Sequence, residues 1–178
     1  MAAAIEARAL LPDEVPRSLA IPTWLYGNEP TMPFATAYAK YFQNSIREEA
    51  LVRESQTGIV YARGGGGTIR EIFQDVEENF YTESPKTFTP MIFFDPDDYW
   101  RRHAEIEPGT GTVTRGGLKL DEVVTKTFEL GRAKKQDAKE CLAKVLFTVD
   151  FDEIVAVLDA QSPMATRHLD QMLLAMSI

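Results

Sequence analysis

Short apolar runs alternate with longer amphipathic segments along most of this chain. Runs at 59–62, 90–94 and 145–149 are apolar, partly β-branched and of the length of buried strands. A further strand is predicted at 19–24, although Pro22 restricts it to an edge or an irregular position. Between these runs, apolar residues recur every three or four positions, which is typical of helices that bury one face.

The helical pattern predicts elements on both sides of the apolar runs. They cover 2–10, 34–53, 68–81, 97–105, 120–131, 136–143, a helix capped by Asp150, and a last helix that opens at Ser162-Pro163. Gly131 suits the C′ position after the helix at 120–131. Over 68–81 one set of side chains is apolar and another polar. The apolar set is Ile69, Ile72, Phe73, Val76 and Phe80, and Asp75, Glu77 and Glu78 are predicted to face outward.

This alternation predicts an α/β fold, because strands separated by helices form parallel sheets covered on both faces. The ligand site of such a sheet lies at the carboxyl ends of its strands. One domain is predicted over 1–178, a length that suits a single core. Within it we expect an N-terminal helix and turn at 1–18, a flexible polar loop at 106–117 and a C-terminal helix at 161–178.

A run of four glycines and a threonine stands where the strand at 59–62 gives way to the next helix. Glycines let the backbone approach a ligand closely, and the first N–H groups of a helix have no partner within it. With the helix dipole, these donors favour an anion, most often a phosphate. Glu71, one turn inside the helix, is the first candidate for chemistry. Two plainer interpretations stay open: the glycines form only a tight connection between strand and helix, and Glu71 only compensates the helix dipole.

Charge and composition narrow the classes of function. The net charge of −8 argues against binding nucleic acid or an anionic membrane surface. The lone Cys141 cannot form an internal disulfide, suits a reducing compartment and is expected in the core. Neither a bilayer-spanning apolar run nor a signal-peptide pattern is present in this sequence, so a cytoplasmic protein is predicted.

The sequence predicts neither a metal site nor a cofactor. His103 and His168 stand far apart without a spaced acidic or cysteine partner. The acidic residues of 95–98 follow a strand and are better explained as a turn. Aromatic residues at Trp24, Trp100 and 38–42 are expected to pack in the core or in a dimer interface.

Three segments, in this order, resemble one family. They are 20–30 (Ala-Ile-Pro-Thr-Trp-Leu-Tyr-Gly-Asn-Glu-Pro) with 33–36, then 41–49 (Tyr-Phe-Gln-Asn-Ser-Ile-Arg-Glu-Glu), then 63–75 (Arg-Gly-Gly-Gly-Gly-Thr-Ile-Arg-Glu-Ile-Phe-Gln-Asp). They are similar to the LOG family of nucleoside 5′-monophosphate phosphoribohydrolases, whose signature is Pro-Gly-Gly-x-Gly-Thr-x-x-Glu after an upstream arginine. The resemblance covers about 19–100 well and 118–160 loosely.

The resemblance implies a set of site residues and a reaction. The phosphate-binding positions correspond to Gly64, Gly65, Gly66, Gly67 and Thr68, with Gly66 in the variable slot. Glu71 matches the catalytic glutamate, and Arg47 matches the arginine that is essential with it. The implied reaction hydrolyses the N-glycosidic bond of a nucleoside monophosphate, which releases the base and ribose 5-phosphate. A homodimer is implied as well.

The chain departs from the family pattern in three ways. Arg63 stands in place of the signature proline, and Glu48 stands where many members have lysine. The largest departure is an absence: nothing before residue 58 resembles the further strands and first glycine-rich loop of the family's fold. The chain is therefore predicted to be Rossmann-like, with helices on both faces of the sheet, but without the first half of the usual fold.

This absence leaves two alternatives to an enzyme. The first is a non-catalytic protein that binds a nucleotide or a cofactor phosphate. The second is an inactive half-domain that completes the sheet of another chain, because an uncovered edge strand invites pairing.

Overall fold

The computed structural model describes residues 2–11, 17–24 and 32–176. These residues divide into two compact units, Met1–Leu51 and Val52–Ile178, where the sequence predicts one domain. Each unit is described by itself. The predicted turn before Pro16 and the predicted loop around Gly27 lie outside the described residues.

The first unit contains a helix and two very short parallel strands. Helix α1 (Ala2–Ala9) precedes β1 (Leu19–Ala20), which pairs with β2 (Ala37–Tyr38), and Thr23 bridges Tyr41 in the same direction. The predicted helix over 34–53 is therefore wrong in its first half, since α2 (Asn44–Glu54) begins ten residues later than predicted. The extended segment instead hydrogen-bonds along β1, for example from Ala39 N to Ala20 O at 3.0 Å. Pairing with a distant strand overrides local helical spacing here.

The second unit is built on a three-stranded parallel sheet in the order β3-β4-β7. Its strands are β3 (Ile59–Tyr61), β4 (Met91–Phe94) and β7 (Val145–Thr148), which confirms the three apolar runs as strands. Tyr61, Phe93 and Phe147 occupy one register row across the sheet. Their rings stack with centroids 5.3 and 4.6 Å apart. The α/β class is confirmed.

Helix α3 (Gly66–Tyr81) connects the first two strands of this sheet. Ile72 and Val76 are buried as predicted, but Phe73 is largely exposed. The outward placement of Asp75 is wrong, because only 2% of Asp75 is accessible. It lies on the buried face beside Tyr61 and Asn79, which supply it with hydrogen bonds. Glu77 and Glu78 are exposed as predicted.

A hairpin follows the second strand of the sheet. It pairs β5 (His103–Ile106) with β6 (Val113–Leu118) in antiparallel fashion. The predicted helix at 97–105 is wrong, because only a turn forms at its start and β5 begins at His103. The predicted loop at 106–117 is also wrong in part, because most of β6 lies within it. Gly109 and Gly111 have φ of +95° and +70°, which closes the chain tightly enough for the arms to pair. Polar composition alone gives no sign of such pairing.

Two helices lie between the hairpin and β7. They are α4 (Leu120–Gly131) and α5 (Ala138–Leu142), close to the predicted bounds. Gly131 belongs to α4 as its last residue and lacks the positive φ of a left-handed C′ residue. Glycine is needed there for a different reason: a Cβ would overlap the ring of Phe80 in α3.

The last helix, α6 (Phe151–Met176), runs without interruption through Pro163. Asp150 caps it as predicted, accepting a hydrogen bond from Asp152 N at 2.9 Å. The prediction that a separate helix starts at Ser162-Pro163 is wrong. No helix among the described residues has the length and apolarity needed to cross a membrane.

The core of the second unit surrounds the aromatic row of the sheet. Trp100 is fully buried with its ring edge-on to Phe93 at 5.7 Å, and Cys141 is fully buried, so both core predictions are confirmed. In the first unit, by contrast, Trp24, Tyr38 and Phe42 are more than half exposed, so the core interpretation of these aromatics is wrong. Trp24 and Phe42 stack on each other at 5.7 Å.

Candidate functional site

The glycine turn lies between the carboxyl end of β3 and the first turn of α3, as the sequence predicts. Gly64, Gly65, Gly66 and Gly67 are all exposed, and Thr68 is half-buried. A Cβ on Gly64 would overlap the Thr68 side chain, whereas one on Gly65 or Gly66 would meet nothing within 4 Å. The turn is thus closed on one side by threonine and open on the other.

The backbone that opens α3 has hydrogen-bond donors to offer. Gly65 is the N-cap residue in an extended conformation, and no side chain caps this helix in the described part of the chain. The first helical hydrogen bond runs from Ile69 N to Gly65 O at 3.2 Å, so the amides of 66–68 precede the helical ladder. With the dipole of a 16-residue helix, these amides attract an anion.

Arg63 stands immediately before the turn and is held by groups from the next loop. Its guanidinium lies 4.6 Å from the ring centre of Tyr99 and 3.6 Å from a carboxylate oxygen of Asp97. A Cβ on Gly116 of the hairpin would lie 3.5 Å from the same guanidinium. Arg63 therefore places a positive charge at the edge of the glycine turn.

Glu71 lies one turn inside α3, half-buried, on the same helix as the open amides. Burial is the main reason that the pKa of Tyr61, at the end of β3, is raised; Asp75 is the next cause, and the negative charge of Glu71 adds to it. The glycine turn and the Glu71 carboxylate thus belong to one continuous backbone segment, as the sequence predicts.

Arg47 lies in α2, within the first unit. Its Nη1 donates to Ile21 O at 3.2 Å, which fixes the guanidinium to the segment that joins β1 to the Thr23 bridge. Glu48, the next residue, is buried and accepts a hydrogen bond from Asn44. Because Glu71 belongs to the second unit, the pairing of Arg47 with Glu71 stays a prediction.

A buried polar cluster between β3 and α3 is not predicted by the sequence. Tyr61 Oη donates to Asp75 Oδ2 at 2.8 Å, and Asn79 Nδ2 donates to Asp75 Oδ1 at 2.9 Å. Burial is the main reason that the pKa of Asp75 rises to about 7. The sequence does hold a signal, because Glu71, Asp75 and Asn79 recur at spacings of four and therefore share a helix face.

The acidic residues after β4 serve the turn that follows this strand. Asp95 is buried, accepts from Trp100 N at 3.0 Å and pairs with Arg101 Nε at 2.9 Å. This confirms the interpretation of 95–98 as a turn. No cluster of His, Cys, Asp and Glu suited to a metal ion occurs within the described ranges. His103 is exposed, and the side chain of His168 lies outside what the structure describes.

The amino-acid sequence matches no protein-family model, and comparisons with curated proteins and with solved structures found no match either.

Proposed function

We propose that this protein binds nucleoside 5′-monophosphates at the glycine turn and hydrolyses their N-glycosidic bond, as the LOG family does. The single observation that supports this most is the open glycine turn at the carboxyl end of β3, with Glu71 one turn further along the same helix. Such an arrangement can hold a 5′-phosphate and a ribose in a fixed relation to one carboxylate. The proposal includes a Rossmann-like sheet without its first half, and a homodimer.

Glu71 has the chemistry that this reaction requires. Cleavage of the bond between ribose and base passes through a ribosyl cation of oxocarbenium character. A carboxylate below the ribose stabilises that cation and orients the attacking water. The open amides of 66–68 and the Arg63 guanidinium provide charge for the 5′-phosphate on the other side of the sugar. Arg47 would bind the phosphate or the departing base, as the resemblance implies.

The test is incubation of the purified protein with AMP, GMP, CMP and UMP while released base is followed by chromatography. We expect base and ribose 5-phosphate from at least one nucleotide, and a loss of about 100-fold or more in kcat for Glu71→Gln. Glu77→Gln is the matched control, because Glu77 is an exposed glutamate on the same helix. Full turnover by Glu71→Gln would refute the mechanism.

The two alternatives give different results in the same samples. A non-catalytic carrier would bind nucleotide in calorimetry without releasing base. A half-domain would gain activity or stability only with a second polypeptide, which co-purification would detect. β3 and β7 stand at the two ends of the three-stranded order, so such a polypeptide would pair with one of these two strands.

A further inference from the structure

Asp75 lies at the centre of a buried chain of hydrogen bonds that joins β3, α3 and the segment before β4. Asn79 orients this chain, because Thr89 N donates to Asn79 Oδ1 at 2.7 Å. Asn79 Nδ2 must then face Asp75 Oδ1, at 2.9 Å, and the Thr89 carbonyl, at 3.1 Å. Tyr61, Asp75 and Asn79 are each at most 3% accessible, so water does not compete with these bonds.

The orientation of Asn79 decides where Asp75 can hold a proton. Oδ1 already faces an N–H donor, so an added proton must sit on Oδ2, which faces Tyr61 Oη at 2.8 Å. When Asp75 is ionised, Tyr61 donates to it. When Asp75 is protonated on Oδ2, that bond reverses and Tyr61 Oη becomes the acceptor. Gain or loss of one proton therefore reverses a buried hydrogen bond at Tyr61, the last residue of β3.

Glu71 lies one helical turn from Asp75 on α3, and the charges of both carboxylates raise the pKa of Tyr61, which lies next to Asp75. The charged and titratable groups that act on this cluster are Tyr61 from β3 and Glu71, Asp75 and Glu78 from α3. No cation pairs with Asp75 among the residues that the structure describes. Burial, as the largest cause, and the nearby Glu78 raise the pKa of Asp75, while the Tyr61 hydrogen bond lowers it.

We propose that Asp75 is a positioning residue: its protonation state, relayed by Tyr61 and by charge along α3, sets the electrostatic environment of Glu71. The inference rests on the proposed function only in naming Glu71 as the reacting carboxylate. An ionised Asp75 adds a second negative charge one helical turn from Glu71, which favours the ribosyl cation and weakens binding of the 5′-phosphate. Both kcat and KM therefore rise as Asp75 loses its proton.

The primary experiment is a pH titration of the intact protein followed by carbon-13 NMR of the side-chain carboxyls, with Glu71→Gln and Asp75→Asn used for assignment. We expect the Glu71 resonance to show an inflection at the Asp75 midpoint, and Asp75→Asn to remove it. Tyr61→Phe moves the Asp75 midpoint upward, and Glu78→Gln moves it downward, each on the order of half a pH unit. Glu77→Gln leaves it unchanged.

These outcomes separate the inference from the proposed function. If no base is released from any nucleotide, the NMR titration still decides whether Asp75 and Glu71 are coupled. Two results overturn the inference even in an active enzyme. One is a titration midpoint of Asp75 near that of an exposed aspartate, and the other is a Glu71 resonance without an inflection at the Asp75 midpoint. Because Glu78 is exposed, Glu78→Gln should fold even if Asp75→Asn does not, and it should move the Asp75 midpoint and the Glu71 inflection downward together. In an active enzyme, kcat and KM that stay flat through the Asp75 midpoint also overturn it.

Discussion

The glycines of the turn differ in what a side chain would meet. Gly64 packs against Thr68 and has no room for a Cβ, whereas Gly65 and Gly66 face open space. Packing in the folded protein therefore explains why residue 64 is glycine, but it does not explain the glycines at 65 and 66. Close approach of a ligand to the backbone would explain them.

Gly65→Ala and Gly66→Ala test this difference directly. Each methyl fits the folded protein, so we expect the free energy of unfolding to stay equal or to rise by about 0.5 kcal/mol. The same methyl would occupy the space of the phosphate, so affinity for AMP or ribose 5-phosphate should fall about tenfold or more. Calorimetry and denaturant unfolding measure the two effects. Gly64→Ala is the contrast, because it should destabilise the protein through Thr68.

Asp75 links stability to pH at the residue scale. Its pKa rises from 3.8 to about 7 on folding, so the folded state holds a proton that the unfolded state releases. This contribution to stability is fully present below about pH 4 and is lost as the pH rises through about 7.

Asp75→Asn should remove this dependence, since asparagine resembles the protonated acid in shape and charge. The free energy of unfolding of the variant, relative to wild type, should increase between pH 4 and pH 8, by about 4 kcal/mol at most. Urea unfolding at a series of pH values measures it. Parallel curves for the two proteins would show that folding leaves the pKa of Asp75 unchanged.

At the scale of elements, α3 and α4 meet through a glycine and an arginine at the end of α4. Gly131 lets the Phe80 ring lie against the helix backbone. The next residue, Arg132, is fully buried and donates to Thr82 O at 3.1 Å and to both carboxylate oxygens of Asp137 at 2.7 and 2.8 Å. Arg132 thus hydrogen-bonds both the end of α3 and the start of α5.

Gly131→Ala should weaken this junction. The added methyl would overlap the Phe80 ring, so we expect a loss of about 1–3 kcal/mol in the free energy of unfolding. Phe80→Leu combined with Gly131→Ala should recover part of that loss, because the smaller side chain vacates the position. A double-mutant cycle by thermal unfolding measures this coupling. Strict additivity of the two changes would contradict the contact.

At the scale of the whole molecule, the sheet and its core belong to one unit and Arg47 to the other. Every residue of the buried core cluster lies between Tyr61 and Cys141, within the second unit. The glycine turn and Glu71 belong to that unit too. The proposed reaction therefore draws its phosphate-binding amides and its arginine from different parts of the chain.

A fragment of residues 52–178 should fold alone and bind phosphate without turning over nucleotide. We expect one cooperative unfolding transition and an affinity for ribose 5-phosphate equal to that of the full-length Arg47→Ala variant, because the core and the turn are both retained. Base release should be lost, as in the full-length Arg47→Ala variant. Wild-type turnover by the fragment would exclude a role for Arg47.

Much of the second unit could be predicted from the sequence. The strands at 59–61, 91–94 and 145–148 and the helices beside them follow from apolar runs and helical spacing, which act within a few residues. The glycine turn and the cap at Asp150 are equally local. The segment at 34–43 and the hairpin at 103–118 were mispredicted because their conformation depends on a partner strand distant in sequence or beyond a turn.

The sequence by itself determined the α/β class and the place of the glycine turn between β3 and α3, since both depend on local backbone preferences and side-chain periodicity. Tertiary structure decided which side of α3 is buried around Asp75, why Gly131 is a glycine, and what holds Arg63 beside the turn. Each of these depends on contact with an element that local periodicity does not specify. A buried carboxylate with an altered pKa arises only when strand, helix and loop enclose it together.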